Sequence, residues 1–127
     1  MYLDTDIVLA ALKADDWLSS SVDLGSIDRP KTSVSACIEV QYPMEDEWDR
    51  ERLTTVNESL TDEEIELVPL EAEHVAAGGK LQRRYDRLNL FDAIHLGTAD
   101  VLGETPVSTD TLYPFVDEVE TVDPREL

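Results

Sequence analysis

The stretch YLDTDIVLA, residues 2–10, places two aspartates between two short apolar runs. The run at 2–3 predicts a buried strand, and residues 7–13 have the length and composition of a helix. A chain that turns from a strand into a helix needs one capping residue, a role that fits Asp6. The other carboxylate, Asp4, then ends the strand. A second acid at this corner suggests a cation or phosphate chemistry, and the alternative is a helix cap beside a solvated strand end.

Beyond this corner, short β-rich runs alternate with helical stretches. Strands are predicted at 2–3, 33–36, 66–70 and 106–109, with a fifth at 118–122. Helices are predicted at 7–13, 71–87 and 93–102, with a short helix around Trp17 and an acidic helical region kinked at Pro43 that reaches about Leu60. Parallel neighbours need crossover connections, so this alternation predicts an α/β fold: a three-layer α/β/α arrangement around a central parallel sheet of four to five strands.

Length and composition limit the class of protein. A chain of 127 residues fits one domain, residues 1–127, with one core and one site. No stretch approaches the roughly 20 apolar residues of a membrane span, so we expect a soluble, cytoplasmic protein with no membrane contact. The only cysteine, Cys37, lies in SVSACIEV and is interpreted as a small core residue.

The charge balance is extreme, with 10 basic and 29 acidic residues and a net charge of −19. Disorder does not explain it, because 42% of the residues are hydrophobic and they fall in patterned segments. In molar salt the Debye length falls to about 3 Å and exposed carboxylates hardly repel one another. The three lysines against seven arginines agree with this interpretation. The composition therefore predicts a halophilic protein, in which only position can mark an acid as functional.

Four acids are predicted to meet at one edge of the sheet. Asp4 follows the first strand, Glu39 lies in the first turn of the helix after the second, and Asp110 follows the fourth. Asp92 is predicted as the N-cap of the helix that Gly103 ends. Sites in such folds lie beyond the carboxyl ends of the strands. Helix N-termini at Asp6, Glu39 and Asp92 would offset part of the repulsion. The cluster still needs a cation, and ligation by carboxylate oxygens favours Mg²⁺ or Mn²⁺.

Four segments, YLDTDIVL, SVSACIEV, LFDAIHLGTADVLG and PVSTD, resemble in order and spacing the signature segments of the PIN domain, the ribonuclease fold of VapC-type toxins. The resemblance covers almost the whole chain and implies RNA cleavage with Mg²⁺ or Mn²⁺. It implies catalytic and metal-binding roles for Asp4, Glu39, Asp92 and Asp110. It also implies homodimerisation and a VapB-type antitoxin partner.

The chain departs from the family pattern at two places and matches it at a further, supporting position. Asp6 stands where the family commonly has asparagine, and we expect it to cap the helix and support the site. Ser108 matches the small hydroxyl position two residues before Asp110, where it would orient that acid or meet a phosphate, or simply pack at a strand end. The second acid often found shortly after the last one is replaced by the run TLY at 111–113, which weakens the case for a second metal ion.

Basic and histidine residues carry open alternatives. Four basic residues fall at helical spacing i, i+3, i+4 and i+7 and predict one stripe: Lys80, Arg83, Arg84 and Arg87. The stripe either contacts RNA phosphates or pairs with acids within the fold or across a dimer, and the second interpretation is favoured slightly. His95 lies one turn into the helix of Asp92 and, like His74, is interpreted as structural.

Other functions compete with RNA cleavage. Asp4 and Asp6 fit the Asp-x-Asp opening of haloacid-dehalogenase-like phosphatases, with a nucleophile followed by an acid/base. That class also uses a downstream lysine and a later acidic pair, whereas the only late lysine is Lys80 and Asp110 has no acidic partner nearby. A response-regulator receiver domain is disfavoured similarly, because no lysine follows the fourth or fifth predicted strand. A catalytically silent PIN module that only binds a partner does not explain why all four acids are present.

Overall fold

The fold is described by a computed structural model over residues 1–13, 16–44 and 54–127. Four strands form within these ranges: Tyr2–Leu3 (β1), Lys31–Ser33 (β2), Glu66–Val68 (β3) and Pro106–Val107 (β4). The α-helices are Thr5–Leu12 (α1), Val34–Glu39 (α2), Gln41–Met44 (α3), Val56–Asp62 (α4), Ala72–Arg84 (α5) and Leu90–Leu102 (α6). Short 3₁₀ helices cover Leu24–Ser26, Tyr113–Phe115 and Pro124–Glu126.

The four strands form one parallel sheet in the order β3-β2-β1-β4. Tyr2 is in register with Lys31 on one side and with Pro106 on the other. The chain therefore builds outward from β1 to β3 and then crosses to the far side of β1. Such a reversal of strand order leaves a crevice at the carboxyl ends of the two strands that flank it, which here are β1 and β4.

Helices cover both faces of the sheet because adjacent residues of a strand point to opposite sides. Leu3 packs into a core with residues of α1, α2 and α4, and Tyr2 into a second core with residues of α5 and α6. Tyr2 and Leu3 are both fully buried. The predicted three-layer α/β/α fold with a parallel sheet of four strands is confirmed.

Helices α5 and α6 approach each other through glycines. A Cβ atom added at Gly97 would lie 2.4 Å from the backbone nitrogen of Gly78, and one added at Gly78 would lie 2.8 Å from the carbonyl oxygen of Ala93. The neighbouring Gly79 has nothing within 4 Å of such an atom. Helix α5 runs unbroken through both of its glycines. Gly78 therefore allows the close packing of the two helices, and Gly79 has no part in it.

Several predicted element boundaries were wrong. The second strand ends at Ser33, whose side chain caps α2, so residues 34–36 are helical rather than extended. Glu39 is therefore the last residue of α2 and not in its first turn, and the helix dipole there opposes its charge. The fifth strand is reduced to one bridge between Val122 and Val107. Around Trp17 the chain forms a turn rather than a helix.

The acidic region after the second strand is only partly described. Helices α2 and α3 precede residues 45–53 and α4 follows them. The predicted course of the helix over residues 45–53 lies outside the described residues. None of the helices in the described ranges has the length and apolarity needed for a bilayer span.

We expect the fold to require high salt. The net charge of −19 on 127 residues must be screened for the chain to stay compact. Thermal melts monitored by circular dichroism should show a melting temperature that rises by about 10 °C or more between 0.1 M and 2 M KCl. Potassium sulfate at matched ionic strength serves as a control for specific ion effects, and a melting temperature unchanged by salt would show that the halophilic interpretation is wrong.

Candidate functional site

The corner between β1 and α1 holds the first acid. Asp4 is the N-cap of α1, and its Oδ1 accepts a hydrogen bond from the Thr5 backbone N–H at 2.9 Å. Its Oδ2 accepts a hydrogen bond from the Ser108 hydroxyl at 2.6 Å. Ser108 Oγ in turn accepts the backbone N–H of Asp110 at 3.0 Å. Ser108 thus ties the ends of β1 and β4 together and orients both Asp4 and the loop that carries Asp110.

The prediction that Asp6 caps the first helix was wrong, because α1 begins two residues earlier than expected and Asp4 occupies the cap. Asp6 lies in the first turn, where its Oδ2 accepts the Thr109 backbone N–H at 3.0 Å and a short hydrogen bond from the Thr109 hydroxyl. Its Oδ1 is buried without a hydrogen-bond partner among the described residues. Burial, together with the charge of Asp4, raises the pKa of Asp6 to about 6.

We expect Asp6→Asn to stabilise the metal-free protein at neutral pH. The pKa of Asp6 lies above its ordinary value of 3.8, so ionisation favours unfolding and stability is lost as the pH rises through about 6. The amide removes this effect and should add on the order of 1 kcal/mol at pH 7.5. The gain should vanish at pH 4, where the Asp6 side chain of the folded wild type is protonated and, like asparagine, carries no charge. Melts in EDTA at the two pH values measure it, and an equal gain at both would contradict the electrostatic explanation.

A buried hydrogen-bond network links Glu39 to the sheet. Its Oε1 accepts a hydrogen bond from His95 Nε2 at 2.8 Å and a short hydrogen bond from the Thr5 hydroxyl. His95 Nδ1 lies 2.6 Å from the Tyr2 hydroxyl, which donates to Ser33 Oγ at 3.1 Å. His95 and Tyr2 are almost fully buried, so the network fixes the position of Glu39 from behind.

The C-terminal end of α2 does not stabilise the negative charge of Glu39, and His95 takes that role. Burial alone would lower its pKa, but the hydrogen bond to Glu39 and the nearby charge of Asp4 raise the pKa of His95 well above its usual value. With both ring nitrogens protonated, Nε2 donates to Glu39 and Nδ1 donates to Tyr2, which matches the direction of the network. Burial raises the pKa of Glu39, and the hydrogen bonds from His95 and Thr5 outweigh it and leave that pKa below its ordinary value.

The remaining two acids face the same region. Asp92 is the third residue of α6, and the prediction that it caps this helix was wrong: Asn89 is the cap and accepts the Asp92 backbone N–H at 2.9 Å. Burial and the charges of Asp4, Asp110 and Glu39 raise the pKa of Asp92 to about 6. Because those three charges act on Asp92, the four predicted acids share one electrostatic environment at the carboxyl edge.

Tyr113 closes the site on the side of the last strand. Its hydroxyl lies 3.3 Å from Asp92 Oδ1 and donates to it. Burial and the charges of Asp4 and Asp92 hold the pKa of Tyr113 well above its usual value, so the hydroxyl stays protonated. Asp110 is held by its own loop, where its Oδ1 accepts the Leu112 backbone N–H at 2.8 Å.

The donor set fits a divalent cation. Oxygen atoms of Asp4 and Glu39 and a ring nitrogen of His95 lie within 4.8 Å of one another. Carboxylates are the ligands that Mg²⁺ and Mn²⁺ prefer. Of the four predicted acids, Asp4 and Glu39 lie in this cluster and would hold the ion, whereas His95, whose Nε2 donates to Glu39, positions that carboxylate. The charges of Asp4, Asp110 and Glu39 add to burial in raising the pKa of Asp92.

The predicted basic stripe is not continuous. Helix α5 ends at Arg84, so Arg87 lies in the following turn. Arg84 donates to Glu118 at 3.0 Å, which fits the interpretation of this arginine as part of an ion pair within the fold. His74 is buried and its Nδ1 accepts the Glu71 backbone N–H at the start of α5, as expected for a structural histidine.

Sequence reasoning missed three contributors to the site, Thr5, His95 and Tyr113. His95 gave a partial signal, since it stands one turn after Asp92 on the same helix face. Thr5 and Tyr113 gave none, because their contacts depend on α1 starting at residue 5 and on the 3₁₀ turn after β4. Neither feature has a distinctive sequence pattern.

Comparisons with known proteins agree with this geometry. A family model described as the PIN domain matches residues 1–118. A comparison with curated protein sequences finds no match.

Solved structures with the same fold are distant in sequence. One chain of VapBC2 from Rickettsia felis, solved bound to a promoter DNA fragment, is 15% identical, with a TM-score of 0.70 over 95% of this chain and 96% of that one. One chain of a toxin–antitoxin complex from Klebsiella pneumoniae is 17% identical, with a TM-score of 0.71 over 97% and 96%. One chain of DNA-bound VapBC from Salmonella typhimurium is 18% identical, with a TM-score of 0.69 over 97% and 96%.

Proposed function

The chain belongs to the PIN-domain family, whose members are generally nucleases, and from this membership we propose that it is a divalent-metal-dependent endoribonuclease. The observation that carries the proposal is the cluster in which oxygen atoms of Asp4 and Glu39 lie within 4.8 Å of each other; Asp92 and Asp110 are proposed to complete the site. These acids come from four separate segments, and the charges of the other three act on Asp92. Mg²⁺ or Mn²⁺ is the proposed cofactor.

Hydrolysis of a phosphodiester needs an activated water and stabilised charge on the phosphate oxygens. A bound divalent ion supplies both, because it lowers the pKa of water and neutralises the phosphate. The side chains of this protein position that chemistry. Ser108 holds Asp4 through its 2.6 Å hydrogen bond, and His95 together with Thr5 holds Glu39. Tyr113 keeps a proton donor next to Asp92.

We propose further that the protein acts as the toxin of a VapBC-type pair. Its fold matches chains of three toxin–antitoxin complexes over almost their full length. The proposed partner is a VapB-type antitoxin that covers the acidic site with a basic side chain, since an isolated cluster of four carboxylates attracts a cation. The active form is proposed to be a homodimer, and its substrate RNA.

The phosphatase alternative predicts a different environment for Asp4. A phosphoaspartate enzyme needs a lysine at this edge, whereas Lys31 is the first residue of β2 and pairs with Glu104 at the opposite edge of the sheet. Within the described ranges the Asp4 side chain contacts no lysine; its partners are Thr5, Ser108, His95 and Tyr113. RNA cleavage therefore explains the site better.

Substrate assays separate these functions. We expect cleavage of single-stranded RNA in molar KCl with Mn²⁺ or Mg²⁺, loss of cleavage in EDTA, and recovery when excess Mn²⁺ is added back. A chromogenic phosphomonoester should not be hydrolysed. Turnover of the monoester without RNA cleavage would support the phosphatase, and neither activity in the metal-loaded protein would support the silent interaction module.

A further inference from the structure

A cleft of about 410 Å³ opens beside the acidic site, between the end of α5 and the segment that follows β4. Leu88, Leu112 and Val116 give it an apolar lining, and Tyr85 and Phe115 add two aromatic rings. Its volume lies in the usual range for ligand sites, about 300–1,000 Å³. None of these side chains has a part in the proposed cleavage chemistry.

The cleft is joined to the acids on both of its sides. Leu112 donates its backbone N–H to Asp110 Oδ1 at 2.8 Å. Leu88 immediately precedes Asn89, the cap of the helix that carries Asp92. Since consecutive Cα atoms are 3.8 Å apart, the cleft begins only a few residues from two of the four acids. A strand of RNA with one phosphate at the acids would place an adjoining nucleotide there.

Tyr85 is held in a fixed orientation. Its hydroxyl donates to Glu118 Oε1 at 2.7 Å and accepts the backbone N–H of Asp117 at 3.1 Å. The guanidinium of Arg84, itself bonded to Glu118, lies 5.4 Å from the centre of the ring. A ring ordered before binding loses little conformational freedom when a ligand stacks on it.

Phe115 is 73% exposed, although it lies next to an apolar cleft. The fold does not require this ring at the surface, and exposed apolar groups beside a cleft mark binding sites. Single-stranded RNA is recognised by stacking unpaired bases on aromatic rings and guanidinium planes, a combination that this cleft offers.

The charge of the protein favours stacking over phosphate contacts as the source of RNA affinity. The net charge is −19, and Arg84 is already paired with Glu118. Arg87, which also lines the cleft, is exposed and has no ion pair among the described residues. Phosphate contacts weaken steeply with salt, whereas stacking on aromatic rings does not depend on counterion release.

We propose that this cleft binds one unstacked nucleobase of single-stranded RNA, next to the phosphate that is cut, with Phe115 and Tyr85 as stacking partners and Arg87 at its edge. The proposal deepens the proposed ribonuclease function and rests on it for the identity of the ligand. It assigns substrate selection to a surface separate from the four acids.

Binding of a fluorescent, single-stranded 12-nucleotide 2′-O-methyl RNA, which resists cleavage, tests the cleft. In 1 M KCl with Mg²⁺, Phe115→Ala and Phe115→Leu should each weaken binding about tenfold, and Phe115→Trp should stay within about twofold of wild type. The loss should be the same in 0.3 M KCl. Trp17→Ala, which removes another exposed aromatic ring outside the cleft, should leave affinity unchanged.

The outcomes separate this proposal from the ribonuclease function. If wild type cleaves RNA while Phe115→Ala and Phe115→Leu bind like wild type, the nucleobase site is overturned and the cleft is left to a protein partner. Retained binding by Phe115→Leu alone also overturns it, because leucine has no π face. If ring-dependent binding is found but wild type does not cleave RNA, the site stands and the ribonuclease function falls.

Discussion

Replacing Asp4 or Asp92 by asparagine is expected to lower metal-dependent RNA cleavage by at least about 100-fold, because losing even an outer-shell partner of a metal ligand typically costs 10–100-fold. Asparagine keeps the shape of each side chain. It can still accept from the Thr5 backbone N–H at position 4 and from the Tyr113 hydroxyl at position 92. The activity loss would therefore report the missing charge rather than a disrupted fold.

Stability measurements make this prediction sharper. Burial and three neighbouring carboxylates raise the pKa of Asp92 to about 6, so without metal Asp92→Asn should be as stable as wild type or more stable at pH 7.5. Asp100→Asn makes the same change at the exposed far end of α6 and should keep full activity. Asp6→Asn should cost less than about tenfold, because Asp6 bonds to Thr109 and supports the site from behind. Full cleavage by Asp4→Asn would refute the metal-ligand assignment.

Gly97→Ala should be the most destabilising of the glycine-to-alanine substitutions in α5 and α6. The new Cβ would lie 2.4 Å from the backbone nitrogen of Gly78, and a backbone atom cannot move aside as a flexible side chain can. Overpacking usually costs about 1–3 kcal/mol, and this contact belongs at or above the upper end. We expect a melting temperature at least about 10 °C lower, or no folded protein.

Gly78 and Gly79 provide a matched pair on α5. Gly78→Ala places a Cβ 2.8 Å from the carbonyl oxygen of Ala93 and should destabilise, whereas Gly79→Ala meets open space and should stabilise by about 0.5–1 kcal/mol through helix propensity. Thermal melts in molar KCl compare the three variants. Equal effects at Gly78 and Gly79 would show that the two helices are not in backbone contact. If Gly97→Ala does not fold, this pair still decides the question.

Sequence reasoning succeeded where a pattern depends on chain order alone. Alternating strands and helices place the carboxyl ends of β1 and β4 at one edge of the sheet. The link between Asp4 and the loop of Asp110 through Ser108 therefore follows from topology. It failed where a shift of two or three residues in an element boundary changes the role of a side chain. The second strand ends at Ser33 rather than at residue 36, and that shift moves Glu39 from the start of a helix to its end.

Buried partners were harder to predict than acids. His95 looked like a core histidine because periodicity shows only that it faces inward. Whether an inward-facing histidine contacts leucines or a carboxylate depends on which helix lies opposite. That helix is α2, whose end was predicted at the wrong position. The position of Tyr113 depends on a 3₁₀ turn marked only by Pro114. The acidic side chains of the site could therefore be predicted from the sequence, whereas the groups that hold them could not.

The position of β1 in the middle of the sheet also makes completion of the sheet a long-range event in folding. Tyr2 and Leu3 pair with Pro106 and Val107, which lie 104 positions further along the chain. Until β4 docks, Asp4 lacks its hydrogen bond from Ser108. Docking of β4 therefore completes both the sheet and the surroundings of Asp4, and strand pairing across so long a sequence separation is a slow event in folding.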